Sequence, residues 1–148
     1  MKNILVAVDL DANSTILVDK AAELAQKFGS KVWILHISDP EPDFVGNRVG
    51  PKYIREIRAK EIRSEHRQIR DYNDQLKNKG IEAEGLLVAG ATAETILQEI
   101  KKLQADLVII GHYHHSFLYK LFAGNTDFTI VEKAKVPVLI IPVKNSNS

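Results

Sequence analysis

Two glycines in the last third of the chain suggest a site for a phosphate-bearing ligand. The apolar run Asp106-Leu-Val-Ile-Ile-Gly111 ends at one of them, and Gly124-Asn125-Thr126 begins thirteen residues after it. Glycine lets the backbone approach a ligand closely, and the N-terminus of a helix offers unpaired N–H groups and the positive end of its dipole. The stretch therefore predicts a loop that cradles phosphate.

Histidines cluster beside the first of these glycines. His112, His114 and His115 suggest a metal site, because imidazole binds zinc, copper and nickel. No cysteine or carboxylate cluster lies nearby to complete a metal shell, and a loop that tolerates polar histidines explains the same spacing. Ser116 and Thr126 belong to no legible Ser–His–acid arrangement. We therefore predict neither a metal site nor a catalytic residue.

The residues that could do chemistry follow short strands in a chain that alternates strand and helix. Five apolar runs have strand character, and helical periodicity separates them. The alternation predicts one α/β domain over residues 1–143, in which helices cover both faces of a parallel sheet, and a frayed polar tail at 144–148. The predicted strands are Ile4–Val8, Val32–Ile37, Ile81–Val88, Leu107–Ile110 and Val136–Val143.

Sheets of this kind bind ligands beyond the carboxyl ends of their strands, at a topological switch point. Asp9 follows the first predicted strand, Ile37 ends the second and Gly111 follows the fourth. Asp9 either contacts a ligand or caps the turn that follows it, and its place at a strand end favours the ligand.

Composition and charge exclude several classes of protein. The chain has 148 residues, a net charge of +1 and no cysteine, so disulfides and thiol nucleophiles are excluded. No apolar run reaches the ~18 residues of a membrane helix, and the N-terminus lacks a signal-peptide layout. We expect a cytoplasmic protein without a membrane partner. Acidic and basic residues interleave in a helix predicted over 52–79, which favours a solvated face over a nucleic-acid surface.

Five fragments of the chain form a pattern by their order and spacing. They are Ile4-Leu-Val-Ala-Val-Asp9, Leu35-His36-Ile37, Gly90-Ala-Thr-Ala-Glu-Thr-Ile96, Asp106-Leu-Val-Ile-Ile-Gly111 and Pro137-Val-Leu-Ile-Ile-Pro142. Together they resemble the universal stress protein family. The resemblance implies adenine-nucleotide binding, with Ala7, Val8, Asp9 and Ile37 around the adenine and ribose.

The phosphate motif of the family's nucleotide-binding members is only partly present. In those members the loop after the fourth strand reads Gly, two residues, Gly, nine residues, Gly, then Ser or Thr. Gly111 and Gly124 match the first and last glycines, whereas His114 and Asn125 replace the middle glycine and the hydroxyl residue. If the middle glycine needs a positive φ, His114 costs on the order of 1 kcal/mol or more. If it only needs room, the imidazole can instead donate to a phosphate, and Asn125 can still cap a helix. Thr126 would lie in the same helix-start region.

Two functions are consistent with this altered motif. In the first, the protein binds ATP or AMP weakly to moderately at the switch point between strands one and four, with Mg²⁺ accompanying ATP, and acts as a sensor or switch. In the second, it is a nucleotide-free stress protein that works only through protein partners, since a subgroup resembling universal stress protein A lacks the glycine motif. Any enzymatic activity would be at most a slow ATPase or autophosphorylation.

The last predicted strand indicates how the protein assembles. Pro137 and Pro142 cannot donate hydrogen bonds within a sheet, so they fit an edge strand. An apolar edge needs a cover. The family resemblance implies that Val136–Val143 pairs with its copy in a homodimer, a common form of oligomer. We predict a five-stranded, doubly wound parallel sheet in the order 3-2-1-4-5.

Overall fold

A computed structural model describes residues 1–38, 52–113 and 126–143. Within these ranges, five strands form one parallel sheet in the order β3-β2-β1-β4-β5, which confirms the predicted fold. The strands are β1 (Asn3–Ala7), β2 (Lys31–Ser38), β3 (Ala83–Ala89), β4 (Leu107–Tyr113) and β5 (Val138–Val143). The helices are α1 (Ser14–Phe28), α2 (Lys52–Asn78), α3 (Thr92–Lys102) and α4 (Thr126–Lys133). The predicted tail at 144–148 lies outside the described residues.

The sheet buries apolar side chains on both faces, as its continuous apolar strands predict. Ile4, Leu5 and Val6 of the central strand β1 are all 0% exposed. Alternate residues of each strand point to opposite faces. Ile4 and Val6 join a core with α1 and α2, whereas Leu5 joins a second core with α3 and α4.

Several strand boundaries differ from the predicted ones. Strand β5 begins at Val138, not Val136, because Pro137 has no N–H to donate to the sheet; its carbonyl still accepts from the Val108 amide at 3.1 Å. Strand β3 begins after Ile81, whose amide donates instead to the carbonyl of Leu76 at the end of α2, at 3.0 Å.

Strand β4 does not end before Gly111, as predicted, but continues to Tyr113. Gly111, His112 and Tyr113 pair with β5 residues, of which the last is Val143. Strand β1 ends one residue early, at Ala7, although the Val8 amide still donates to the carbonyl of Leu35 at 2.8 Å. The carboxyl ends of β1 and β2 are therefore held together just before the chain leaves the sheet.

The long helix α2 rests on the sheet through its second half. Only Ile69 and Leu76 of this helix are buried, and both lie beyond its midpoint. Ile69 packs over Gly85 of β3: a Cβ atom at position 85 would lie 2.1 Å from Ile69 Cγ2. Gly85 thus lets α2 approach the sheet closely, and the first half of α2 projects over the carboxyl ends of the strands.

Candidate functional site

An open cleft of about 500 Å³ lies at the carboxyl ends of β1 and β2. Its volume is within the range of small-molecule sites, roughly 300–1,000 Å³. Four parts of the fold line it: the turn after β1, the end of β2, the start of α3 and one face of α2. The lining residues are Asp9, Leu10, His36, Ile37, Ser38, Glu61, Ser64, Glu65, Gln68 and Thr92.

Asp9 is an exposed carboxylate on the wall of this cleft. The turn after β1 is organised by a different residue, Asp11. The Asp11 side chain accepts a hydrogen bond from the Asn13 amide at 3.0 Å, and its backbone carbonyl accepts from the Ser14 amide at 3.1 Å. Asp11 provides these turn contacts, and the exposed Asp9 carboxylate lines the cleft, where a ligand can reach it.

His36 joins three elements at the base of the cleft. Its ring nitrogen Nδ1 lies 2.8 Å from the carbonyl oxygen of Val8, and Nε2 lies 3.7 Å from Oε1 of Glu65 on α2. A carbonyl oxygen can only accept, so Nδ1 carries the hydrogen of the Val8 bond. This hydrogen bond is a structural contact, and the same residue also lines the cleft.

Helix α2 supplies a polar wall that the sequence reasoning did not find. Glu61, Ser64, Glu65 and Gln68 are spaced i, i+3, i+4 and i+7, so they share one face of the helix and turn it towards the cleft. That spacing is visible in the sequence. The sequence does not show, however, that the close contact between Ile69 and Gly85 directs this face over the ends of β1 and β2.

The fourth wall begins at a tight turn between β3 and α3. Gly90 has a φ of 154° and donates from its amide to the carbonyl of Ser38 at 3.3 Å. A Cβ atom at this position would lie 2.6 Å from Oγ1 of Thr95. Only glycine fits this turn without strain, and the turn brings Thr92, the first residue of α3, to the cleft.

The predicted ligand-binding residues occupy several different places. Asp9 and Ile37 line the cleft. Ala7 packs at the margin of the α3–α4 core, and Val8 is buried beneath α1 and α2.

The predicted phosphate-binding residues lie further along the chain. Gly111 is a half-buried residue within β4 opposite Ile141, and Thr126 is the first residue of α4. His114, Gly124 and Asn125 lie outside the described residues. The described cleft therefore lies at the ends of β1 and β2. The phosphate-binding residues were predicted between β1 and β4, and part of that region, residues 114–125, lies outside the described residues.

One carboxyl group with a clear pKa shift lies at the opposite end of the strands, where β1 and β4 begin. Hydrogen bonds from the amides of Asn3 and Lys2, at 2.9 and 2.7 Å, lower the pKa of the Asp106 carboxyl below its usual value. This group ties the start of β1 to the start of β4. Among the described residues, no group of three or more His, Asp or Glu side chains is arranged to hold a metal ion, and no helix is long and apolar enough to span a membrane.

The sequence matches the model of the universal stress protein family over residues 1–142. The chain belongs to this family. Universal stress protein A of Escherichia coli (strain K12) is 27% identical to it over 145 residues, which cover 97% of this chain and 96% of the relative.

Two solved structures share the fold of this universal stress protein at low sequence identity. One is a universal stress protein in complex with cAMP, with a TM-score of 0.69, 21% identity and 95% of each chain covered. The other is a family member from Arabidopsis thaliana with AMP bound, with a TM-score of 0.68 and 17% identity, covering 99% of this chain and 94% of that one.

Proposed function

We propose that this universal stress protein binds an adenine nucleotide in the cleft beyond β1 and β2 and acts as a cytoplasmic sensor or switch. The observation that carries the proposal is the cleft itself, which has about 500 Å³ and is lined by Asp9 and Ile37. Two structural neighbours, with cAMP and AMP respectively, support the class of ligand.

The described walls suit the base and ribose of a nucleotide. The carboxylate of Asp9 accepts hydrogen bonds from hydroxyl or amino groups, and Ile37 offers an apolar surface to the base. Among the lining residues, Asp9, Glu61 and Glu65 are acidic and none is Lys or Arg. Phosphates therefore point away from the α2 wall, because like charges repel.

Towards β4, the phosphates would meet the residues that the family motif assigns to them. These are Gly111, His114, Gly124, Asn125 and Thr126. The family resemblance also puts Ala7 and Val8 around the adenine and ribose. In this proposal Mg²⁺ enters with ATP and is bound through the phosphates. Occupancy of the cleft then changes the surface that a partner meets, and this change is the switch.

Nucleotide carried through purification is the first test of this function. The protein is purified without added nucleotide and denatured, and the supernatant is separated by anion-exchange chromatography with absorbance detection. Because weakly bound ligand is lost in purification, calorimetric titrations with AMP and with Mg-ATP follow. Stoichiometric nucleotide, or a saturable heat, supports the proposal; the absence of both at millimolar nucleotide refutes it.

Asp9→Asn tests whether the described cleft is the site. The substitution keeps the size of the side chain and removes its charge, so we expect AMP to bind about tenfold more weakly, as the loss of one charge-assisted hydrogen bond predicts. Asp19→Asn is the matched control, because Asp19 is an exposed carboxylate on α1 and is not among the cleft residues. Equal affinities in the two variants would place the nucleotide elsewhere.

A nucleotide-free interaction protein is the second candidate function, and the altered phosphate motif favours it. His114 and Asn125 stand where nucleotide-binding relatives have Gly and Ser or Thr. The double substitution His114→Gly with Asn125→Ser restores the motif. If it creates ATP binding in a protein that had none, the natural chain belongs to this second class.

We also propose that the protein is a homodimer joined through β5. This strand is at the edge of the sheet, as its prolines predict, and Ile140 is 39% exposed on it. Phe128 and Val131 on the neighbouring helix α4 are also exposed, at 65% and 50%. Apolar groups at an unpaired edge favour pairing with a second copy, which would extend the sheet across a two-fold axis.

A further inference from the structure

We infer that His36 is a positioning residue of the nucleotide cleft, which holds the peptide between Val8 and Asp9 in its binding orientation. This inference rests on the proposed function, because it assigns a role within the same site. The hydrogen bond from Nδ1 of His36 to the Val8 carbonyl, at 2.8 Å, is the contact that carries it.

The position of that carbonyl explains why the bond matters for Asp9. The Val8 carbonyl and the Asp9 amide belong to one planar peptide group, so fixing the carbonyl also fixes the orientation in which Asp9 leaves the strand. The Val8 amide is held on its other side by the carbonyl of Leu35 at 2.8 Å. Two neighbouring residues of β2, Leu35 and His36, thus hold the last residue before the cleft carboxylate.

The residue after Asp9 shows that this segment needs to be held. Leu10 has a φ of 61°, in the left-handed region that side chains with a Cβ rarely adopt. Such a conformation persists only where the surrounding structure enforces it, and it is concentrated at functional sites. Asp9 therefore lies between the Val8 carbonyl, which His36 holds, and the strained backbone at Leu10. Loss of the hydrogen bond from His36 would let the Val8–Asp9 peptide and the Leu10 backbone relax.

The second ring nitrogen has a weaker connection. Nε2 of His36 faces Oε1 of Glu65 on α2 at 3.7 Å, which is too long for a direct hydrogen bond. The two nitrogens therefore make different contributions: Nδ1 fixes the Asp9 turn, and Nε2 faces the α2 wall. This difference allows an experiment that separates positioning from general packing.

The experiment compares His36→Asn with His36→Gln. The amide nitrogen of asparagine occupies about the place of Nδ1 and keeps a donor near the Val8 carbonyl, whereas that of glutamine reaches about as far as Nε2 and leaves the carbonyl without its donor. We expect the Gln variant to bind AMP about three- to tenfold more weakly than the natural protein, the effect of one lost neutral hydrogen bond, and the Asn variant to stay within about twofold. His66→Gln, at an exposed position of α2, is the matched control.

A measurement on the ligand-free protein keeps the inference testable if AMP does not bind. In amide NMR spectra, His36→Gln should shift and broaden the Asp9 and Leu10 resonances, whereas His36→Asn should leave them near their original positions. Unfolding by urea is measured for both variants, since a purely structural histidine would change stability without separating them in these spectra.

The outcomes separate the two proposals. If the natural protein binds no AMP, the proposed function fails, and the NMR comparison alone decides the role of His36. If the Gln and Asn variants give the same Asp9 and Leu10 spectra, or the same AMP affinity where AMP binds, His36 is not a positioning residue.

Discussion

Adding one methyl group at position 85 should force α2 away from the sheet. In Gly85→Ala the new Cβ would lie 2.1 Å from Cγ2 of Ile69 and 3.8 Å from the Ile69 carbonyl oxygen. Ile69 is 5% exposed, and a β-branched side chain in a helix strongly prefers one rotamer. The clash is therefore relieved by movement of the helix backbone, not by rotation of a side chain.

The size of the effect follows from two opposing contributions. Overpacking a core costs roughly 1–3 kcal/mol. Alanine in place of a glycine within a strand restores about 0.5–1 kcal/mol of conformational free energy. We expect a net loss of about 1–2 kcal/mol in the free energy of unfolding, with weaker nucleotide binding because α2 carries one wall of the cleft.

Urea unfolding followed by the fluorescence of Trp33, the only tryptophan, measures this loss. Gly29→Ala is the matched control: nothing lies within 4 Å of a Cβ there, and its φ of 66° leaves only the cost of a left-handed residue, about 1–2 kcal/mol. That variant should lose stability without a change in nucleotide affinity. Gly29 lies before the amino end of β2, whereas the cleft lies at its carboxyl end, and Gly29 is not among the lining residues.

A double-mutant cycle isolates the contact with Ile69. Ile69→Ala removes the clashing methyl group and by itself costs about 2–5 kcal/mol. In that background Gly85→Ala should cost close to nothing, because its methyl group then enters vacated space. An unchanged penalty for Gly85→Ala in the Ile69→Ala background, or no penalty in the natural one, would refute the reasoning.

Two further predictions concern the amino end of the sheet and its edge strand β5. Asp106→Asn should destabilise the protein at neutral pH, because folding lowers the pKa of the Asp106 carboxyl. Such a group stabilises the folded state above its unfolded pKa of about 4. The stabilisation is lost as the pH falls through the lower, folded pKa. Urea unfolding at neutral and acidic pH should therefore show a difference from the natural protein that shrinks on acidification, and a constant difference would contradict the assignment. Ile140→Lys should convert the proposed dimer to a monomer in sedimentation equilibrium, whereas Ile16→Lys, at a 49% exposed position on α1, should not. If both variants sediment like the natural protein, β5 is not the dimer interface.

The sequence determined the architecture because its signals are local. Apolar runs of strand length, helical periodicity between them and glycines such as Gly29 and Gly80 at helix ends all act within a few residues. The prolines around β5 predicted an edge strand, and the sheet order confirms it. Asp9 and Ile37 could be predicted to lie together for the same reason, since parallel strands share one carboxyl end of the sheet, and both line the cleft there.

Only the tertiary structure decided which side chains meet at the carboxyl end of the sheet. The contacts of His36 with Val8 and Glu65 depend on the register of β1 against β2 and on the height of α2 above the sheet. That height depends on glycine at position 85, because a side chain there would meet Ile69. No local sequence pattern reveals this role of Gly85. The sequence spacing puts Glu61, Ser64, Glu65 and Gln68 on one face of α2, but only the packing of the helix determines that this face points towards the cleft. Local sequence propensity determines which segments become helices and strands, whereas close packing between residues distant in sequence determines which side chains form a site.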